Sequence, residues 1–274
     1  MIPPFVDAEF LHQHPEAVLA DVRWYLDGRD GRAAFEAGHL PGALWVDLDH
    51  QLAATGQPST QGRHPFPEPQ AFAAAMSSLG IGNDTLVIAY DDTGGLTAGR
   101  LAVMLRMLGH DATVLAGGLA AWSGQIETGS GRVPTTAVFT AKPWPASRLA
   151  DADDAQRVAA EGGAVLDARS NQRFSGEVAQ IDKRAGHIPG ARCAYWADVL
   201  DSDAMPRPVD ELRQHFRELG VDDGNDAVAY CGSGVSACMN VLAMEHAGLG
   251  TPRLYVASWS GWSADPNREA ATGD

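Results

Sequence analysis

Short apolar runs alternate along this chain with longer mixed stretches. Residues 19–21, 86–89 and 113–115 are brief and apolar and bounded by turn-forming residues, which is the signature of buried strands. Between them, residues 70–79 and 97–108 carry helical spacing. The order returns further on. Strands are predicted at 165–167, 227–230 and 253–256, and helices at 209–219 and 237–247. Strands alternating with helices imply a mainly parallel sheet covered by helices on both faces, an α/β fold. In such sheets ligands bind beyond the carboxyl ends of the strands.

The two series are copies. Ala37-Gly38-His39-Leu40-Pro41-Gly42-Ala43 recurs as Ala185-Gly186-His187-Ile188-Pro189-Gly190-Ala191. Asp21-Val22-Arg23 recurs as Asp167-Ala168-Arg169, and Leu79-Gly80-Ile81 as Leu219-Gly220-Val221. Ala89-Tyr90 recurs as Ala229-Tyr230 and Trp122 as Trp262, the later matches at a constant offset of 140. Two copies of this length predict two like domains, 1–127 and 146–274, rather than a solenoid. Residues 128–145 hold three prolines and little apolar periodicity, and read as the linker.

One copy carries a nucleophile. In Tyr230-Cys231-Gly232-Ser233-Gly234-Val235-Ser236-Ala237 a thiol ends a strand and a tight loop leads into a helix. Amides at a helix mouth point inward with partial positive charge, a cradle for a thiolate or for an anion built on it. The position matching Cys231 is Asp91, in Tyr90-Asp91-Asp92-Thr93-Gly94-Gly95. A carboxylate cannot carry sulfur, so the first copy is expected to support the second. Cys238, Cys193, Trp259 and Trp262 read as packing residues, and the matched His39 and His187 as residues that hold their turns.

Bulk properties narrow the partners. A net charge of −15 over 274 residues argues against nucleic acid or an anionic membrane. No run approaches the ~20 apolar residues of a membrane span. The first residues lack the basic-then-apolar order of a secretory signal. Three cysteines, an odd number, argue against a disulfide framework and for a reducing cytoplasm. They show no metal-ligand spacing, and neither a metal nor another cofactor is expected.

The Gly-His-Ile/Leu-Pro-Gly-Ala motif in both copies, the Cys-Gly-Ser-Gly-Val-Ser-Ala loop and Ser258-Trp259-Ser260-Gly261-Trp262 together resemble the tandem-domain rhodanese-type sulfurtransferases. The resemblance covers nearly the whole chain. It implies a Cys231 persulfide, loaded by a small sulfur donor and emptied by a thiol, a thioredoxin-like protein or cyanide. The amides of Gly232, Ser233, Gly234, Val235 and Ser236 would stabilise it. Loops of this kind go with 3-mercaptopyruvate in the family, whereas Cys-Arg-Lys-Gly-Val-Thr loops go with thiosulfate. The uncharged Gly232-Ser233 pair agrees in direction. Arg173, in Arg173-Phe174-Ser175-Gly176, takes the family's place for a substrate arginine, and Arg184 fills a second such place by approximate position. The resemblance also implies a Ser233, His64 and Asp49 proton relay, which would draw on both copies and straddle their interface. Two departures stand out. Val256-Ala257-Ser258-Trp259 replaces an Asp-Gly-Ser-Trp segment, removing a carboxylate near the loop, and Ser236 stands where Thr is usual.

Three rival readings remain in view. A thiosulfate-preferring enzyme would share the cradle. A protein-directed sulfur carrier or regulatory module would use the same cysteine for one partner. A thiolate phosphatase needs an arginine six residues after its cysteine, where this chain has Ala237.

Overall fold

A computed structural model of the chain describes residues 2–179 and 181–273. They form two units. One comprises Met1–Ala54, Pro67–Trp144 and Ser202–Pro206, the other Thr55–Phe66, Pro145–Asp201 and Arg207–Asp274. Each unit thus takes in a short segment from the opposite copy of the repeat.

The first unit contains β1 (Phe5–Val6), α1 (Ala8–Gln13), β2 (Val18–Asp21), α2 (Gly31–Ala37), β3 (Leu44–Trp45), α3 (Leu48–Gln51), α4 (Pro69–Ser78), β4 (Val87–Tyr90), α5 (Ala98–Met107) and β5 (Ala112–Leu115). Its strands pair in parallel in the order β1-β5-β4-β2-β3. Residues after Gly131 extend this unit. Phe139 is buried beside Phe72 and His110, and Asn83 exchanges hydrogen bonds with Thr140.

The second unit contains β6 (Leu149–Ala150), α6 (Ala152–Ala160), β7 (Val165–Asp167), α7 (Asn171–Ser175), β8 (Arg192–Cys193), α8 (Val209–Glu218), β9 (Val228–Tyr230), α9 (Ala237–His246), β10 (Arg253–Tyr255) and α10 (Ser258–Trp262). Its parallel order, β6-β10-β9-β7-β8, repeats that of the first. Alternate strand residues feed opposite faces. Leu166 packs with Leu212, Phe216 and Met244 from α8 and α9, while Val165 packs with Ala155 and Val158 of α6 and with Trp259 and Trp262 of α10. Burial on both faces explains why the strands read as continuous apolar runs.

The repeated motifs act as matched braces. Arg23 pairs with Asp21 and donates to the Gly38 carbonyl at 2.7 Å; Arg169 pairs with Asp167 and donates to the Gly186 carbonyl at 2.7 Å. The Tyr90 hydroxyl accepts from the Leu40 amide at 3.0 Å, and the Tyr230 hydroxyl from the Ile188 amide at 3.2 Å. His39 stacks on Phe35 with its Nδ1 on the Phe35 carbonyl, and His187 stacks on Phe174 with its Nδ1 on the Phe174 carbonyl. Both histidines therefore hold their turns.

Candidate active site

Cys231 stands just past β9, at the carboxyl edge of the second sheet, and is 1% exposed. The loop behind it curls because Gly234 takes φ +75°, a left-handed conformation that suits glycine. That curl brings the Gly234 N–H to 3.1 Å from the Cys231 Sγ. Burial pushes the thiol's pKa up, but the Ser236 hydroxyl and the amides of Ala237 and Ser233 pull it down further, leaving it below its ordinary value. Cys193 is the contrast. Burial, with Asp167 and Asp198 nearby, pushes its thiol up to about 11. Cys238 is fully buried, with its thiol on the Gly234 carbonyl.

The loop is clamped from outside by the departed segment. The Cys231 N–H donates to Ser258 Oγ at 3.1 Å, and that hydroxyl donates to the Tyr255 carbonyl at 2.9 Å. The amides of Trp259 and Ser260 donate to the carbonyls of Cys231 and Gly232, each at 2.9 Å. Loop anchoring here runs through the backbone and the Ser258 hydroxyl, with Val256 in the place of a carboxylate. Ser258 holds φ +54°, unusual for a residue with a side chain.

Segment 55–66, from the first copy by sequence, belongs to this second unit. Gly62 lies so close to α10 that a Cβ on it would sit 2.4 Å from the Ala257 carbonyl oxygen. The Arg63 N–H donates to Ser260 Oγ at 3.0 Å. This anchorage carries the next two side chains to the loop. His64, 7% exposed, places Nδ1 2.8 Å from Ser233 Oγ. Arg63 extends over Gly232: its Nη2 lies 2.8 Å, and that of Arg173 2.9 Å, from the point a Gly232 Cβ would occupy.

Asp182 ties these cations together. Its buried carboxylate accepts from Arg63 Nη1 at 3.1 Å, Arg169 Nη1 at 3.3 Å and Arg173 Nε at 3.0 Å. Of the residues singled out from sequence, Cys231, Gly232, Ser233, Gly234, Val235, Ser236, His64 and Arg173 thus meet within one unit. Asp49 lies on α3 of the first unit, where it accepts from Trp24 Nε1 at 2.9 Å. The Arg184 guanidinium donates to the carbonyls of Arg268, Trp262 and Asp265 at 2.7, 3.3 and 3.4 Å. Arg63 and Asp182 were not visible as site residues; adjacency to His64 was the only signal for Arg63, and Asp182 had none.

The description "Rhodanese-like domain" matches residues 7–125 and again 147–265. The chain belongs to the tandem rhodanese-domain sulfurtransferase family. It is 42% identical over 270 residues to a probable 3-mercaptopyruvate sulfurtransferase of Pseudomonas aeruginosa, covering 95% of this chain and 94% of that one. It is 38% identical over 265 residues to a putative thiosulfate sulfurtransferase of Mycobacterium tuberculosis, covering 94% and 92%. The crystal structure of the 3-mercaptopyruvate sulfotransferase SseA of Escherichia coli superposes with a TM-score of 0.82 at 31% identity, covering 94% of this chain and 99% of that one. Rhodanese-fold relatives therefore span both repeats, and the names of the two sequence relatives carry different donors.

Proposed function

We propose that this rhodanese-family protein takes sulfur from 3-mercaptopyruvate onto Cys231 and passes it to a thiol, a thioredoxin-like protein or cyanide. The observation that carries the donor assignment is the 2.8 Å contact between Ser233 Oγ and His64 Nδ1, two residues from the nucleophile. 3-Mercaptopyruvate arrives as a thiol whose proton must leave sulfur as the C–S bond breaks; thiosulfate brings no such proton. Charge agrees. The guanidiniums of Arg63, Arg169 and Arg173 against the carboxylates of Asp167 and Asp182 leave one net positive charge, suited to a monoanionic carboxylate.

In the loading step the Cys231 thiolate attacks the donor sulfur. The S–S bond forms, the C–S bond breaks, and its electron pair leaves on carbon as pyruvate enolate. The donor thiol's proton passes through the Ser233–His64 pair and returns to that carbon, giving pyruvate. The sulfur is oxidised to the sulfane level and the carbon reduced to a methyl group, so no outside oxidant is needed. Asp49 enters the relay through the family assignment alone. The loop amides hold the persulfide anion until an acceptor thiolate takes its outer sulfur and releases the Cys231 thiolate. We assign the chemistry to the second domain, 146–274, with segment 55–66, and place it in a reducing cytoplasm, where a reactive cysteine persists as a thiol.

Turnover with 3-mercaptopyruvate and with thiosulfate, each with cyanide as acceptor, tests the reading. The expected kcat/KM favours 3-mercaptopyruvate by about tenfold or more, and Cys231→Ser abolishes both. Faster thiosulfate turnover overturns the donor assignment. Persulfide that passes to a protein partner but never to cyanide or a small thiol favours the carrier reading instead.

A further inference from the structure

The second guanidinium over the nucleophile loop comes from a place the repeat does not mark. Arg63 sits on segment 55–66, with its side chain 29% exposed, and Arg173 on α7, with its side chain 12% exposed. Their Nη2 atoms converge over Gly232, 2.8 and 2.9 Å from the point its missing Cβ would fill. Asp182 braces both from behind, through Nη1 of Arg63 and through Nε and Nη2 of Arg173. The Asp182 side chain is 1% exposed, so this brace faces the interior while both guanidiniums keep an outward face. Arg184 already gives hydrogen bonds to three backbone carbonyls.

We propose that Arg63 is a donor-binding residue that, with Arg173, receives the substrate carboxylate and sets its distance from Cys231. A carboxylate offers two oxygens, and two guanidiniums converging on one face can each bind one by a charge-assisted hydrogen bond. Glycine at 232 lets the two guanidiniums converge over its backbone, because a Cβ there would meet both closer than 3.0 Å. Asp182 is a positioning residue: its carboxylate holds both guanidiniums over Gly232 and offsets part of their mutual repulsion. The inference rests on the donor reading above and names the residue that gives that donor its carboxylate specificity.

The test compares the wild type with Arg63→Met and Arg63→Lys on two donors, 3-mercaptopyruvate and mercaptoacetone, which has a methyl group in place of the carboxylate, with cyanide as acceptor. For Arg63→Met, KM for 3-mercaptopyruvate should rise about 10- to 100-fold, the span of one lost charged hydrogen-bonding group, with a smaller change in kcat. The loss with mercaptoacetone, which offers no carboxylate to the clamp, should be at least tenfold smaller. Arg63→Lys should fall between, because it keeps the charge and loses the fork. An unchanged KM, or an equal loss with both donors, overturns the proposal and leaves Arg63 as an anchor of its segment. Pyruvate binding by calorimetry reads the clamp apart from turnover and should weaken by a similar factor in Arg63→Met. A wild type that binds pyruvate but does not turn over 3-mercaptopyruvate sinks the donor reading alone. Equal pyruvate binding by wild type and Arg63→Met, or none by the wild type, sinks the clamp.

Discussion

Asp91 and Cys231 stand at the same point of two equivalent sheets, and their loops treat them in opposite ways. The Asp91 carboxylate accepts from the amides of Thr93, Gly95, Thr97 and Ala98 and from the Thr97 hydroxyl, all between 2.8 and 3.0 Å. The first cradle is closed on its own anion. At Cys231 the Gly234 amide meets a thiol sulfur instead of a carboxylate. One geometry built to hold negative charge serves as a structural knot in the first unit and, in the function proposed above, as the nucleophile cradle in the second.

That knot carries stability. Asp91→Ala leaves buried amides without acceptors and should lower the unfolding free energy by about 3 kcal/mol, as measured by urea denaturation. Mass spectrometry of the variant should still show a persulfide on Cys231 under native conditions. A stability change below about 0.5 kcal/mol, the range of an ordinary surface substitution, would contradict this role.

The thiol at Cys231 has its pKa lowered in the fold, so the thiolate is the form retained as pH falls from alkaline toward neutral. The ultraviolet thiolate signal, taken as wild type minus Cys231→Ser, should have its midpoint below the ~8.5 of an ordinary cysteine. Loading of Cys231 should decline only below that midpoint. Ser236→Ala removes a hydroxyl that favours the charged form and should move the midpoint upward. A midpoint at or above ~8.5 in the wild type would refute the cradle's electrostatic role.

Proton handling predicts a donor-dependent effect. Ser233→Ala and His64→Gln each break the 2.8 Å contact. Each should lower kcat with 3-mercaptopyruvate by roughly 100-fold or more, within the usual span of general acid–base catalysis. Loading from thiosulfate, which brings no proton, should change far less. Equal losses with both donors would mean that the pair shapes the loop without moving a proton.

Gly62 is the point where the borrowed segment packs most closely on Ala257. It holds φ +85°, and a side chain there would run into the Ala257 carbonyl. Gly62→Ala should destabilise the second unit by about 1–3 kcal/mol. It should also reduce 3-mercaptopyruvate turnover, because Arg63 and His64 follow it directly. Calorimetric melting alongside kinetics checks both effects, and wild-type values for both would remove the segment from the site.

Much of the fold was legible before any coordinates. The apolar runs ending at Asp21, Tyr90, Asp167 and Tyr230 are strands because side chains on both faces are buried, which leaves no polar alternation to confuse them. The conserved spacing between copies made the two sheets equivalent, and the braces from Arg23 and Arg169 show why Asp-x-Arg had to recur. The loop at Cys231 was legible because its chemistry is local: a strand end, a glycine able to take positive φ and a helix start lie within eight residues.

The borrowed segment was not legible in this way. A stretch such as Gly62-Arg63-His64-Pro65 carries no periodicity, and its neighbours in sequence belong to the first copy. Nothing local assigns it to the second unit; that follows from close packing of Gly62 and Gly261 against backbone distant in sequence. Asp182 was silent for the same reason, since a single aspartate in a turn gains meaning only from the three guanidiniums around it. Motifs confined to one stretch of chain, the repeat and the nucleophile loop, express backbone conformations that their own residues dictate. The partner of Ser233 and the second guanidinium depend on contacts between residues 100 or more positions apart, and such contacts exist only once segment 55–66 has packed on the second sheet and α10.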